Sequence, residues 1–251
     1  MRPGVLLERY VKRAFFGALA GWAGGGRALP SPDELARVHR VLVVRPNFRL
    51  GNLILATPAL AALSRALPGA ELDVLCGAPY ADIFACDPTV RETVGVTRDL
   101  HRHPPTLVRL VRRLRARRYD LVVDAARGSS FLGAFFTWLS GGKLRVASAT
   151  SRYRAVYNVH IPSNRQSWLK VDLLLDLLRG LGLDVTGATP YVALGDADHH
   201  RASEVWRTLG LDAHEHVVGI VLGARGPKQW PLAQVVEIAR EYDVTLSLGD
   251  G

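Results

Sequence analysis

The chain of 251 residues has little cysteine, and this shortage excludes two classes of protein. Its two cysteines, Cys76 and Cys86, are too far apart for a CxxC metal knuckle and too few for a secreted disulfide framework. We therefore expect reduced, structural thiols, as in a cytosolic protein. The sequence also lacks GxGxxG and GK[ST], so neither a dinucleotide-binding fingerprint nor a P-loop is supported.

Long uncharged apolar runs are missing as well. The stretch from Val5 to Trp22 contains four charged residues. The longest uncharged run in this region, Ala14–Gly26, is too short and too rich in glycine to span a bilayer. Three interpretations stay open: a weak secretory signal, a basic amphipathic helix on an anionic membrane surface, or an amphipathic helix packed on its own domain.

The overall composition is that of a globular protein, with 48% hydrophobic and 22% charged residues. Wholesale disorder and a polytopic membrane protein are therefore excluded. The charge is unbalanced, because 32 basic and 23 acidic residues give a net charge of +9, and lysine accounts for only four of the basic residues. This arginine excess predicts polyanionic partners. The alternative is that it reflects only the base composition of the genome.

From Val38 onward, short apolar runs alternate with longer amphipathic segments. This alternation predicts a parallel sheet covered by helices on both faces, a doubly wound α/β fold. The predicted strands are Val41–Val44, Glu71–Leu75, Val94–Val96, Leu121–Val123, Arg145–Ala147, Tyr191–Leu194, Val217–Leu222 and Val244–Leu248. The predicted helices are Asn52–Leu67 with a kink at Pro58, Ala78–Ala85, Pro105–Arg117, Ser130–Leu139, Trp168–Leu181, Ala197–Leu209 and Leu232–Tyr242.

The first predicted strand is joined to its helix by a loop that contains Arg45, Asn47, Arg49, Gly51 and Asn52. Ligands of open α/β sheets bind outside the carboxyl ends of the strands, where a helix N-terminus offers free N–H groups to an anion. The loop is therefore the first candidate site. The alternative is that Asn52 only caps the helix and the glycine only permits the turn.

Three segments together resemble the bacterial heptosyltransferase family of GT-B glycosyltransferases. The strand, loop and helix VLVVRPNFRLGNLILATPAL resemble its opening, where the loop usually ends in Gly-Asp. RRYDLVVDAARG resembles its Tyr-Asp-Leu-Val-Ile-Asp strand, and VVGIVLGARGPKQWPLAQVVEIA is similar to the start of its second domain. The order and spacing of these matches make the combination more specific than any one of them.

The resemblance implies two Rossmann-like domains that face each other across a cleft, with the acceptor on the N-terminal domain and the nucleotide sugar mainly on the C-terminal one. It implies inverting transfer of a heptose from a donor such as ADP-heptose to the lipopolysaccharide core or a related acidic glycolipid, with no metal and no cofactor. On this basis the predicted segments are an amphipathic basic segment 1–37, an acceptor domain 38–195, a linking helix 196–215 and an incomplete nucleotide-sugar-binding domain 216–251.

The resemblance also assigns site residues. Lys228 matches the donor-contacting lysine of the family, the alternative being a solvated surface lysine. The remaining donor residues expected are Gly223, Ala224 and Arg225, and those expected on the acceptor side are Arg45, Arg49, Gly51 and Arg127.

Two departures from the family pattern bear on activity. Asn52 stands where the family has the carboxylate that acts as catalytic base, and an amide does not accept a proton at physiological pH. Asp124, at a strand end, is the substitute candidate, and the alternative is a structural Asp that bonds loop amides. The family's nucleotide-holding loop also lies beyond Gly251. A single βαβ unit does not cover its own sheet, so we expect either a fragment or a unit that packs on the first domain or on a partner.

The tract Arg98–Arg118 holds eight arginines and one acid. Its apolar residues at helical spacing indicate a solvated polar face, and the alternative is a basic wall that meets acidic sugars or lipid phosphates. Aromatic residues are not interleaved with the arginines, so a nucleic-acid partner is disfavoured. The leading hypothesis is a cytoplasmic, peripheral glycosyltransferase at the inner face of the bacterial inner membrane, and the contrasting one is a truncated, inactive relative that binds a glycan or a partner protein.

Overall fold

In the computed structural model of the protein, the chain divides into two compact units, Met1–Ala193 and Leu194–Gly251. The residues that the structure describes are 26–125, 130–162, 170–214, 217, 219 and 230–241. The predicted N-terminal amphipathic segment lies outside the described residues. Within these ranges, no helix is both long enough and apolar enough to cross a membrane.

A parallel sheet of six strands forms the centre of the first unit. The strands are β1 (Arg40–Arg45), β2 (Glu71–Gly77), β3 (Glu92–Val96), β4 (Leu121–Asp124), β5 (Leu144–Ser148) and β6 (Val159–Ile161). Their spatial order is β3-β2-β1-β4-β5-β6, and each neighbouring pair is parallel. Val43 of β1 lies opposite Val74 of β2 on one side and Val123 of β4 on the other. The order reverses between β1 and β4, and such a switch point is where open α/β sheets bind ligands.

The five strands predicted before residue 150 are confirmed, each extended by one or two residues. The prediction of a strand over Tyr191–Leu194 is wrong. The backbone N–H of Tyr191 donates to the Thr57 hydroxyl at 2.9 Å, and its phenol donates to Asp87 at 2.7 Å. These bonds lead to side chains of a helix and a loop, so this segment crosses the surface and adds no strand to the sheet.

Helices cover both faces of the sheet. In the first unit they are α1 (Pro32–Ala36), α2 (Leu50–Ile54), α3 (Thr57–Ala66), α4 (Pro104–Ala116), α5 (Phe131–Leu139) and α6 (Lys170–Gly180), with 3-10 turns at Ala78–Phe84, Leu100–Arg102 and Arg154–Val156. The predicted kinked helix over residues 52–67 is two helices. Pro58 has no N–H to donate and its ring crowds the carbonyl four residues earlier, so α2 ends at Ile54 and α3 starts with Pro58 in its first turn.

Successive residues of each strand pack on opposite faces. Val41 and Val43 belong to the apolar cluster that includes side chains of α3 and α6, while Leu42 and Val44 belong to the cluster that includes side chains of α4 and α5. All four are buried, because both faces are covered. This double burial explains why the strands appear in the sequence as continuous apolar runs.

A network of ion pairs and hydrogen bonds surrounds the buried Asp73 at the amino edge of the sheet. Asp73, in β2, has no exposed surface and accepts two hydrogen bonds from Arg91, at 2.9 and 2.8 Å. Its second oxygen also accepts from the Tyr119 hydroxyl at 2.8 Å and from Arg117 at 3.3 Å. Burial and the Asp73 charge raise the pKa of Tyr119, so its phenol stays a neutral donor. The network joins β2 to the segments that precede β3 and β4.

One hydroxyl inside α5 is not satisfied. Thr137 is fully buried, and among the described residues its Oγ1 has no hydrogen-bond partner. An unsatisfied buried hydroxyl carries a desolvation penalty of about 1–3 kcal/mol. We expect Thr137→Val, which keeps the shape and removes the hydroxyl, to raise the free energy of unfolding by about 1 kcal/mol or more in urea denaturation.

Thr57 provides the matched control for this prediction. It is as deeply buried, but its Oγ1 donates to the Ile54 carbonyl at 2.8 Å and accepts from the Tyr191 N–H. We expect Thr57→Val to lower the free energy of unfolding by about 1–3 kcal/mol, because two partners lose their bond. Equal effects of the two substitutions contradict this explanation.

The two cysteines are free and differ in environment. Cys76 is buried in β2, where burial and the nearby Asp82 raise its pKa to about 12, and Cys86 is exposed. Since the thiolate is the reactive form, Cys76 is an inert structural thiol.

The second unit contains α7 (Asp196–Thr208), a 3-10 turn at Leu211–Ala213 and α8 (Leu232–Glu241). The helices predicted over residues 197–209 and 232–242 are thereby confirmed. The two strands predicted in this unit, over 217–222 and 244–248, fall largely outside the described residues. None of the residues of α7 is buried, and it leaves Val205 and Trp206 exposed.

Candidate functional site

The candidate loop leaves the carboxyl end of β1, next to the switch point of the sheet. Arg45, the last residue of β1, is only 9% exposed, and its guanidinium donates to the carbonyl of Ala125, which directly follows β4. The Ala125 N–H donates back to the Val44 carbonyl at 3.0 Å. The ends of β1 and β4 are thus tied together by both backbone and side-chain hydrogen bonds.

Asn52 lies in the first turn of α2, and its side chain bonds within the loop. Its Nδ2 donates to Oδ1 of Asn47 at 3.2 Å. The residue at the helix cap is Arg49, whose backbone is extended. Asn52 is therefore not the cap. Gly51 has no positive φ, and in the described part of the chain an added Cβ there meets nothing within 4 Å. The alternative of a cap and a glycine-dependent turn is wrong for these two residues.

The end of β2 packs closely against this loop. A Cβ on Gly77 would clash with the carbonyl oxygen of Asn47, so only glycine fits there without movement of the loop. The ring of Phe48 lies beside Gly77, and the guanidinium carbon of Arg98 lies 4.7 Å from the centroid of that ring. The tract that begins at Arg98 thus adds a cation to the candidate site, and sequence reasoning did not assign Arg98 there.

Asp124 ends β4 and lies opposite Val44 in the sheet. Its side chain has no exposed surface and accepts a hydrogen bond from the hydroxyl of Tyr157, which is 1% exposed. Burial and the Asp124 charge raise the pKa of Tyr157, so the phenol remains a donor. A buried carboxylate held by a tyrosine favours the structural alternative over direct contact with an acceptor hydroxyl.

Hydroxyls and aromatic rings follow β5 at the same edge. The Ser148 and Thr150 hydroxyls share a hydrogen bond of 2.9 Å, and the buried Ser151 hydroxyl accepts from the Tyr153 N–H at 3.1 Å. The Tyr153 ring stands edge-on to Phe131, with centroids 6.2 Å apart. These residues carry no motif, so sequence reasoning missed them.

The structure brings five of the predicted site residues to one edge of the sheet: Arg45, Arg49, Gly51, Asn52 and Asp124. The other predicted residues lie outside the described residues: Arg127, Gly223, Ala224, Arg225 and Lys228. Across the described ranges, no three His, Cys, Asp or Glu side chains gather in a way that could hold a metal ion. The edge combines cationic donors, amides and hydroxyls, a set suited to binding phosphate or sugar groups.

A six-stranded parallel sheet in this order, with polar side chains at its switch point, defines a Rossmann-like α/β domain. Among solved structures the chain is similar to the glycosyl transferase family 9 protein from Veillonella parvula DSM 2008, with a TM-score of 0.74 and 20% identity over 83% of this chain and 60% of that chain. E. coli ADP-heptose lps heptosyltransferase II is similar with a TM-score of 0.59 and 20% identity, over 81% of this chain and 61% of that one. E. coli heptosyltransferase WaaC with ADP-2-deoxy-2-fluoro heptose gives a TM-score of 0.57 and 20% identity, over 82% and 67%.

These similarities show the fold, which is the GT-B-like, heptosyltransferase-like α/β fold predicted from the sequence. The chain spans about 60 to 67% of the length of the three solved structures. No family model and no curated protein matches the sequence.

Proposed function

We propose that the chain is a heptosyltransferase-like glycosyltransferase that transfers a heptose from a nucleotide-diphosphate sugar, such as ADP-heptose, to the lipopolysaccharide core or a related glycolipid. The observation that carries this proposal is the joined end of β1 and β4, where Arg45 holds the Ala125 carbonyl beside the candidate loop. This edge is the binding crevice of the fold that the chain shares with solved glycosyltransferases. The three sequence motifs support the same assignment.

The proposed reaction is a single displacement. The acceptor hydroxyl oxygen forms a bond to the anomeric carbon while the bond from that carbon to the diphosphate breaks, and the hydroxyl proton passes to a base. Positive groups then stabilise the departing nucleoside diphosphate. The donor side is assigned to Lys228, Gly223, Ala224 and Arg225.

On the acceptor side, Arg49 and Arg127 are assigned to acidic groups of the glycolipid, and Gly51 leaves open space beside Asn52 for the acceptor. Asn52 is assigned to orient the acceptor hydroxyl. Arg45 is buried, which supports a positioning role through the loop after β4. Asp124 was predicted as a catalytic residue, but its burial also supports a positioning role, in which it holds Tyr157.

The proposed location is the cytoplasmic, inner face of the bacterial inner membrane, with peripheral attachment. The net charge of +9 and the basic N-terminal segment support attraction to an anionic membrane surface.

A second candidate function is that of an inactive relative that binds a glycan or a partner protein. The observation that favours it is the amide of Asn52, which is bonded to Asn47 at the position where a carboxylate is expected. Calorimetry separates the two functions, because only the enzyme must bind a nucleotide sugar.

We expect Lys228→Ala to weaken the binding of ADP-heptose by about 1.5–3 kcal/mol, because a charged partner of the diphosphate is lost. Titration calorimetry on the full chain measures the change. Arg201→Ala is the matched control, since it removes one exposed cation from α7. Unchanged affinity in Lys228→Ala rejects its donor role, and absence of heat with every nucleotide sugar favours the inactive relative.

A further inference from the structure

A hollow of about 420 Å³ opens at the amino edge of the sheet, opposite the candidate active site. It lies between the end of α4 and the start of β4, and between the end of α5 and the start of β5. The hollow, here called the amino-edge hollow, is lined by Arg115, Arg118, Tyr119, Ser140, Gly141 and Lys143. Three of these six residues are cationic, and none is acidic.

Arg118 holds a backbone conformation that usually belongs to glycine. Its φ is +49°, and in the described part of the chain it is the only residue other than glycine with a positive φ. It follows α4 at the position where helices commonly end with a left-handed glycine. Gly141, which also lines the hollow, has a φ of +69° and shows that usual choice. An arginine in this left-handed conformation lowers the stability of the fold by about 1 kcal/mol relative to glycine. Stability therefore does not explain why an arginine stands here, and a function of its side chain would.

The neutral polar groups of the hollow are already engaged. The Tyr119 hydroxyl donates to Asp73, and the Ser140 hydroxyl donates to the Thr137 carbonyl at 2.7 Å. The groups that remain to receive a ligand are therefore the cationic ones.

The cations differ in how far they are engaged. Lys143 Nζ donates to Asp120 at 2.8 Å, and Nε of Arg115 donates to the Leu139 carbonyl at 3.1 Å. The exposed guanidinium of Arg118 makes neither an ion pair nor a hydrogen bond with any described residue. Planar guanidinium groups bind phosphate oxygens through paired hydrogen bonds. A carboxylate would compete for those bonds, and none lines the hollow.

We infer that the amino-edge hollow binds a phosphoryl group, with Arg118 as its principal contact and Arg115 and Lys143 beside it. The ligand class is a phosphate ester, either a soluble phosphorylated metabolite or the headgroup of an anionic lipid. The hollow lies at the opposite edge from Asn52 and Arg45, so this inference does not depend on the proposed transfer reaction.

The test compares Arg118→Gly with Arg112→Ala, which removes another exposed cation, from α4 and outside the hollow. The full chain is titrated with glycerol 3-phosphate at constant ionic strength, and in parallel sedimented with phosphatidylcholine vesicles that contain or lack phosphatidylglycerol. We expect Arg118→Gly to weaken binding at least about tenfold and Arg112→Ala to leave it nearly unchanged.

Stability separates binding from folding, because Arg118→Gly relieves the left-handed backbone and is expected to leave the urea midpoint unchanged or raised. A selective loss with glycerol 3-phosphate supports a soluble ester, and a selective loss with phosphatidylglycerol vesicles supports a lipid headgroup. Equal behaviour of the two variants with both probes overturns the inference, as does a wild-type chain that binds neither probe.

Discussion

Asp73→Asn is expected to lower the free energy of unfolding by about 3 kcal/mol, because it removes the buried anion that Arg91 and Arg117 share, while Glu92 and Glu71 remain as their more exposed partners. Asp73 is fully buried and accepts hydrogen bonds from Arg91, Arg117 and Tyr119. An asparagine keeps one acceptor oxygen, but its NH₂ group then faces N–H donors of Arg91. The guanidinium loses both a charge partner and a hydrogen bond.

The effect of Asp73→Asn is expected to be much larger than the effect of removing the exposed ion pair between Glu71 and Arg117. Glu71 accepts from Arg117 at 2.5 Å, but the side chain of Glu71 is 51% exposed. Arg117 therefore lowers the pKa of Glu71 in a solvated setting, where ion pairs contribute little to stability. Glu71→Gln is the control, and urea unfolding followed by circular dichroism measures both variants. A loss below about 1 kcal/mol for Asp73→Asn contradicts the assigned role.

The sheet is the part of the fold that the sequence predicts best, and double burial is the reason. Strands covered on both faces need apolar side chains at every position, so Val41–Val44 and Leu121–Val123 stand out as uninterrupted runs. β6 was missed because its three residues, Val159–Ile161, include a histidine and form no such run. Tyr191–Leu194 is a short apolar run and so predicts a strand, whereas the partner that fixes Tyr191 in the structure, Asp87, is distant in sequence.

The candidate site also has one part that the sequence predicts and another part that it does not. The loop from Arg45 to Asn52 was predictable, because a strand end followed by a helix start marks a binding edge in any α/β sheet. Asp124 was placed at the correct edge for the same reason. Its bond with Tyr157 spans 33 residues and has no local signal. The dependence of the Asn47 backbone on Gly77 is also a contact between distant segments.

Asn52→Asp is expected to raise the turnover of heptose transfer by about 10²-fold or more, because general-base catalysis typically contributes 10²–10⁴-fold. The site suits a carboxylate at this position. Residue 52 lies in the first turn of α2, where negative charge is favoured. The Asn47 amide, now an acceptor at 3.2 Å, can turn to donate its NH₂ group to the new carboxylate.

The measurement is kcat for transfer from ADP-heptose to a glycolipid acceptor, taken across a range of pH. A restored base gives a rate that rises as the new carboxylate ionises, whereas a merely improved fold raises the rate equally at every pH. Asn47→Asp is the matched control, since it adds the same charge to the same loop at the other end of the hydrogen bond. If Asn52→Asp binds the donor as the wild type does and its kcat is unchanged, loss of the base is not what limits this chain.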